Sequence, residues 1–139
     1  MVSLLLLTHY RLAEAYRSLT HHFFGNEREF FTIVQCDGNE DPLTLQKKIG
    51  AAFSTLPNEV PVLVLVDIFG ATPCNLLNQV HEKREISVVT GLNAPMLVKA
   101  IQEANHYDSA KQLKEIVIER AKQGIVAYDI EANLSLIHI

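Results

Sequence analysis

Short apolar runs alternate along this chain with stretches in which apolar residues recur every three or four positions, and that alternation restricts the fold more than any other feature. Residues 2–7 (VSLLLL) and 62–66 (VLVLV) are far shorter than the ~20 apolar residues of a membrane span. They are also too continuously apolar for a strand with one wet face, so they read as strands buried on both sides. From Leu12 the period changes. Leu12, Ala15, Tyr16, Leu19 and Phe23 predict a helix with one buried face, stopped by Gly25. A second strand follows over residues 29–36, then the loop DGNEDP. Asp41 and Pro42 suit an N-cap and first helical residue, and Leu43, Leu45, Ile49, Ala52 and Phe53 supply that helix's apolar face.

The pattern continues. After the strand at 62–66 comes the tight loop IFGAT, with Thr72 as N-cap and Pro73 as first residue of a helix reaching about residue 81. A strand over 85–90 is broken by Gly91 and Asn93. Helices follow over 95–103 and 109–122, Gly124 caps the second, and residues 125–130 predict a short last strand. The order β-α-β-α-β-α-β-α-α-β indicates an α/β fold, a parallel sheet covered by helices on both faces. Right-handed crossovers leave few topologies, and the commonest doubly wound order for so few strands is 2-1-3-4. The expected organisation is one domain over residues 1–139, with its core in about residues 1–130.

Composition removes several functional classes. Twelve basic against 16 acidic residues give a net charge of −4, the wrong sign for a protein held on nucleic acid by phosphate contacts. The N-terminus lacks the basic start and small-residue cleavage site of an export signal, and two cysteines make neither a disulfide framework nor a four-cysteine zinc site. A cytoplasmic protein is the expectation. Neither GxxxxGK[ST] nor GxGxxG occurs, so no nucleotide cofactor is expected. Nor is a metal: His21 and His22 are neighbours on a helix and diverge by about 100°. His81 suits a helix C-terminus, and His106 and His138 receive no role. Cys36 and Cys74 read as packing residues.

In a doubly wound sheet, ligands bind beyond the carboxyl ends of the strands where the strand order reverses, here between the first and third strands. Thr8 and His9 follow the first strand, and Asp67 follows the third. Adjacent strands lie about 4.8 Å apart, so the two side chains are within reach. Spacing alone leaves open an ordinary hydrogen bond or a catalytic pair. In the catalytic reading, the carboxylate holds one ring nitrogen, frees the other as a nucleophile and stabilises the charge that develops. The start of the next helix, at Gly70 to Pro73, would turn backbone N–H groups into the same crevice and suit a phosphoryl group.

Three motifs, LLLTH, LVDIFGATPCN and TGLNAPMLVKAI, occur together and in order. They resemble the IIA component of the mannose-class sugar phosphotransferase system (PTS), whose patterns are a Thr-His followed by glycine, D-x-[FW]-G-G-[ST]-P-x-N and G-x-N-x-P-M-L. The resemblance covers about residues 1–130. It implies a phosphotransferase in which His9 accepts a phosphoryl group from phospho-HPr and passes it to a IIB component. Asp67 would hydrogen-bond the histidine, and Thr8, Gly70, Ala71 and Thr72 would adjoin the phosphoryl group. It further implies the 2-1-3-4 sheet and a homodimer exchanging a last, antiparallel strand, for which residues 125–130 are the candidate. The chain ends where many family members continue into a IIB domain, so a separate IIB partner is expected, with at most peripheral contact to a membrane permease.

Two positions depart from the family pattern. Tyr10 stands where glycine follows the histidine, and Ala71 replaces the second glycine of the GG pair. These departures favour the alternative reading, a regulatory binding module whose phosphorylation state controls a partner without sugar transport. A related dihydroxyacetone-kinase phosphocarrier ranks third, because DIFGATPCN is closer to the mannose-class loop. A flavodoxin-like cofactor binder lacks any supporting loop.

Overall fold

A computed structural model describes residues 1–25, 30–68, 72–80 and 83–131, with only the backbone for 72 and 73. Its elements are β1 (Ser3–His9), α1 (Leu12–Phe24), β2 (Phe31–Cys36), α2 (Pro42–Thr55), β3 (Val62–Val66), α3 (Thr72–Leu77), β4 (Ile86–Thr90), α4 (Ala94–Glu103) and α5 (Ala110–Gln123). The four strands form one sheet in the order β2-β1-β3-β4, and all three pairings are parallel.

The continuous apolar runs are the central strands. Leu4 to Leu7 and Val62 to Val66 are all fully buried. Alternation divides them between two cores. Leu4, Leu6, Leu63 and Leu65 pack with Met96, Leu97, Leu113 and Val117, with Tyr16, Leu19 and Phe24 of α1 against the same cluster. Leu5, Leu7, Val64 and Val66 pack on the other face with Leu45, Ile49 and Phe53 of α2 and Leu76 of α3. Right-handed crossovers explain the division, since the one connection that steps back, β1 to β2, places its helix opposite those that step forward. The reversal leaves the carboxyl ends of β1 and β3 side by side.

Local signals account for the helix boundaries. The Asp41 carboxylate accepts from the Thr44 N–H at 2.8 Å, the Asn93 side chain from Met96 N–H at 2.9 Å, and Ser109 from Gln112 N–H at 3.4 Å. Gly25 ends α1 at φ 79°, a left-handed conformation open to glycine, and donates to the His21 carbonyl.

Four expectations require correction. The first strand extends to His9, because Thr8 and His9 remain paired with Gln35 and Cys36 on β2 despite their polarity. The buried stripe of α1 is Ala13 and Thr20 flanked by Tyr16 and Leu19, whereas Leu12, Ala15 and Phe23 are exposed. A stripe rotated by one residue satisfies the helical period equally well, and only the sheet selects between them. Leu43 of α2 likewise faces solvent, and α3 ends at Leu77 rather than near residue 81. Its last carbonyls are taken by the tighter bonds from Gln79 N–H to Leu76 and Val80 N–H to Leu77. Finally, residues 125–130, expected as a strand exchanged between two copies, form no strand within the single described chain. Ile125 and Ile130 are 80% and 82% exposed. Their β-branched composition favours a ladder, but a ladder needs a partner, and none of the four strands supplies one. Among the described residues, no helix is long and apolar enough to cross a membrane.

Candidate active site

The parallel register sets the carboxyl end of β1 between those of β2 and β3. His9 is level with Cys36 on one side, and Leu7 is level with Val66 on the other, so Asp67 emerges beside His9. The Asp67 carboxylate is almost enclosed, its side chain 4% exposed. It collects three donors: Oδ2 accepts from the His9 backbone N–H at 2.8 Å, Oδ1 from the Ile68 N–H at 2.8 Å, and the imidazole Nδ1 lies 3.0 and 3.2 Å from the two oxygens. Because a carboxylate can only accept, this geometry assigns the proton of neutral imidazole to Nδ1. Among the described residues, Nε2 has no hydrogen-bond partner.

That nitrogen belongs to a ring bordering an open bowl of about 640 Å³, lined by His9, Tyr10, Arg11, Leu12, Ala15 and Ile68. Leu12 and Ala15, which the helical period assigns to the core, instead line this surface beside the histidine. Their exposure was not legible in periodicity. The signal that bears on it is the adjacency of Leu12 to the His9–Arg11 turn.

Neighbouring groups are chemically quiet. Burial, reinforced by the charges of Glu40 and Asp67, pushes the Cys36 thiol up to about 12, so this cysteine beside His9 stays protonated and unreactive. Tyr16 lies within the field of Asp67. Burial chiefly, and that charge secondarily, raise its phenol, which donates to the Leu92 carbonyl at 3.3 Å. The third sequence motif is a brace for the site. Gly91 turns at φ 81°, Leu92 N–H donates to the Val66 carbonyl at 3.0 Å, and Asn93 both caps α4 and donates to the Ala121 carbonyl at 3.1 Å.

The other expected site residues are not all brought to this point. Thr8 is fully buried, its hydroxyl has no hydrogen-bond partner among the described residues, and strand alternation turns it to the face opposite His9. Gly70 and Ala71 lie outside the described residues, as do His81 and His138. Thr72 is the first residue of α3. Tyr10 is one of two non-glycine residues with positive φ among those described, at 48°. The glycine of the family pattern would take that conformation without strain.

Comparison with known proteins agrees with this architecture. The family model described as "PTS system fructose IIA component" matches residues 3–118. The chain is 31% identical over 107 residues to the "PTS system fructose-specific EIIA component" of Bacillus subtilis, covering 76% of this chain and 73% of that protein. It is 28% identical over 127 residues to the "PTS system mannose-specific EIIAB component" of Escherichia coli, covering 91% of this chain but 39% of the longer protein. Among solved structures, the mannose/sorbose-specific IIA subunit from Enterococcus faecalis superposes with a TM-score of 0.79 at 26% identity, covering 95% of this chain and 98% of that one. The phosphotransferase system component EIIA from Streptococcus agalactiae gives 0.81 at 22% identity over 91% and 97% of the two chains, which supports the fold. With its four-stranded parallel sheet, its three motifs and a family match over most of its length, the chain belongs to the mannose/fructose class of PTS IIA components, and its role is phosphotransfer within the sugar PTS.

Proposed function

We propose that His9 is the phosphoryl acceptor, that phospho-HPr is the donor, and that a IIB component receives the group in turn. The observation that carries this reading is the division of labour on the imidazole: Asp67 occupies Nδ1, and Nε2 is left on a ring that borders an open bowl. In the forward step, the Nε2 lone pair forms a bond to phosphorus as the donor's bond to phosphorus breaks, and the donor atom leaves with that electron pair. The ring then bears positive charge, which the Asp67 carboxylate, still accepting from Nδ1–H, stabilises. Transfer to the IIB component reverses these events on a new acceptor atom. The same reading gives Gly70, Ala71 and Thr72 to the phosphoryl surroundings, by likeness to the family loop, and leaves out Thr8, which strand alternation turns to the opposite face. It treats residues 1–139 as one IIA domain with no cofactor.

The reading extends to assembly. Ile125, Val126, Tyr128 and Ile130 are all more than half exposed, and Val88 of the edge strand β4 is 41% exposed. A groove of about 180 Å³ beside them is lined by Val89, Met96, Ile118 and Ile125 among others. Pairing of residues 125–130 with a second copy would cover these apolar groups and supply the missing ladder.

Intact-protein mass spectrometry after incubation with phosphoenolpyruvate, Enzyme I and HPr tests the assignment. One acid-labile phosphoryl group on the wild type, absent from a His9→Ala variant of equal stability, is the expected result. A folded wild type left unmodified by a working donor system would overturn it.

A further inference from the structure

Tyr10 is an anomaly that the phosphocarrier reading does not absorb. Its backbone is held at φ 48°, a conformation disfavoured for a bulky side chain, and is locked there by donation from its N–H to the Cys36 carbonyl at 2.9 Å. Its ring reaches across to the β2–α2 loop. There it lies so close to Gly38 that a Cβ at that position would collide with the hydroxyl and stand 2.9 Å from Cζ. Gly38 itself has no positive φ, so what it provides is room for the ring. The outcome of this strain and accommodation is an aromatic side chain, 55% exposed, beside the imidazole and on the same bowl as Leu12 and Ile68, which are 44% and 57% exposed.

We infer that Tyr10 is a docking residue for the phosphorylated donor protein, a preset aromatic anchor that determines which carrier reaches His9. The inference rests on the phosphocarrier reading. Phosphorus must come within bonding distance of Nε2, and Tyr10, Leu12 and Ile68 line the same bowl as His9, so a protein donor must lay its surface over them. A half-exposed, pre-positioned aromatic ring loses little freedom on being covered, and such residues carry a large share of interface affinity. Local strain kept beside a reactive group fits the same role.

The test compares two phosphoryl donors, phospho-HPr and the small molecule phosphoramidate, which needs no protein docking. Labelling of His9 is followed in the wild type and in Tyr10→Gly, Tyr10→Phe and Gly38→Ala. The expected result is that Tyr10→Gly lowers kcat/KM for phospho-HPr, through KM, about tenfold more than it lowers labelling by phosphoramidate. Tyr10→Phe keeps the wild-type ratio within about twofold, because the ring does the work. Gly38→Ala shifts the ratio in the same direction as Tyr10→Gly by displacing the ring from its seat, which keeps the test decisive if one variant folds poorly. An unchanged ratio in both Tyr10→Gly and Gly38→Ala would overturn the inference, and so would a raised ratio, which would mark the ring as a barrier. A wild type labelled by phosphoramidate but not by phospho-HPr would overturn the donor assignment, and this inference with it.

Discussion

Asp67→Asn is the substitution that most directly tests how the site is held. The asparagine is nearly the same size, so the perturbation is one of hydrogen bonding and charge. Asp67 receives N–H groups on both oxygens: Ile68 N–H and the imidazole on Oδ1, His9 N–H and the imidazole on Oδ2. Asparagine replaces one of these acceptors with an NH₂ donor. Whichever way the amide turns, it confronts a backbone N–H with another donor, and one enclosed backbone group is left unpaired. An unsatisfied group of that kind costs about 1–3 kcal/mol of stability. The lost charge acts on the reaction. A hydrogen bond to a charged group is worth about 1.5–3 kcal/mol, and at 1.36 kcal/mol per decade its loss from the phosphorylated ring slows transfer about 10- to 150-fold. The assays are urea unfolding for stability and time-resolved mass spectrometry of His9 labelling by a small phosphoryl donor. The two effects should separate, since labelling is measured far below the unfolding midpoint. An Asp67→Asn protein as stable as wild type and labelled at its rate would refute the proposition that this carboxylate organises the histidine.

Four further outcomes are expected. Asn93→Ala should lower stability by about 1–2 kcal/mol in urea unfolding, because it removes the cap of α4 together with a bond to the last turn of α5. Glu85 accepts from Lys111 N–H and Ser109 Oγ, and the first of these chiefly holds its carboxyl below the usual range. Its contribution is therefore fully present above the unfolded-state value of about 4.3 and is lost as pH falls through the lower folded-state value, so the wild-type advantage over Glu85→Gln should shrink with acidification in that window. Alkylation of native protein at about pH 8 should modify Cys74 well before Cys36, whose buried thiol remains protonated, and peptide mapping reads the order. Truncation after Gly124 should convert a dimer into a monomer in analytical ultracentrifugation; a wild type that sediments as a monomer would remove the proposed strand exchange.

Much of the fold is written locally. The runs at residues 2–7 and 62–66 announce doubly buried strands because four and five consecutive apolar side chains, at 4–7 and 62–66, leave a strand no face for water. Asp41, Asn93, Ser109 and Gly25 mark helix ends through chemistry confined to three or four residues. The pairing of His9 with Asp67, 58 positions apart, was legible too, but only through a topological rule that puts the ends of the first and third strands together.

What local chemistry leaves open is which side of an element finds a partner. The spacing of Leu12, Ala15 and Phe23 is as helical as that of Ala13, Tyr16 and Thr20, and only docking on the sheet decides which set is buried. Residues 125–130 have the composition of a strand and no strand to join within the described chain. The geometry around Tyr10 is of the same kind. A tyrosine where the family pattern has glycine is visible in the chain itself, but its meaning depends on Gly38, 28 positions away, and on the bowl that both adjoin. Caps, strand runs and motifs are set by bonds among near neighbours, so the amino-acid order suffices for them. The exposed apolar surface beside His9 exists because the sheet brings distant loops together, and only the assembled tertiary structure determines it.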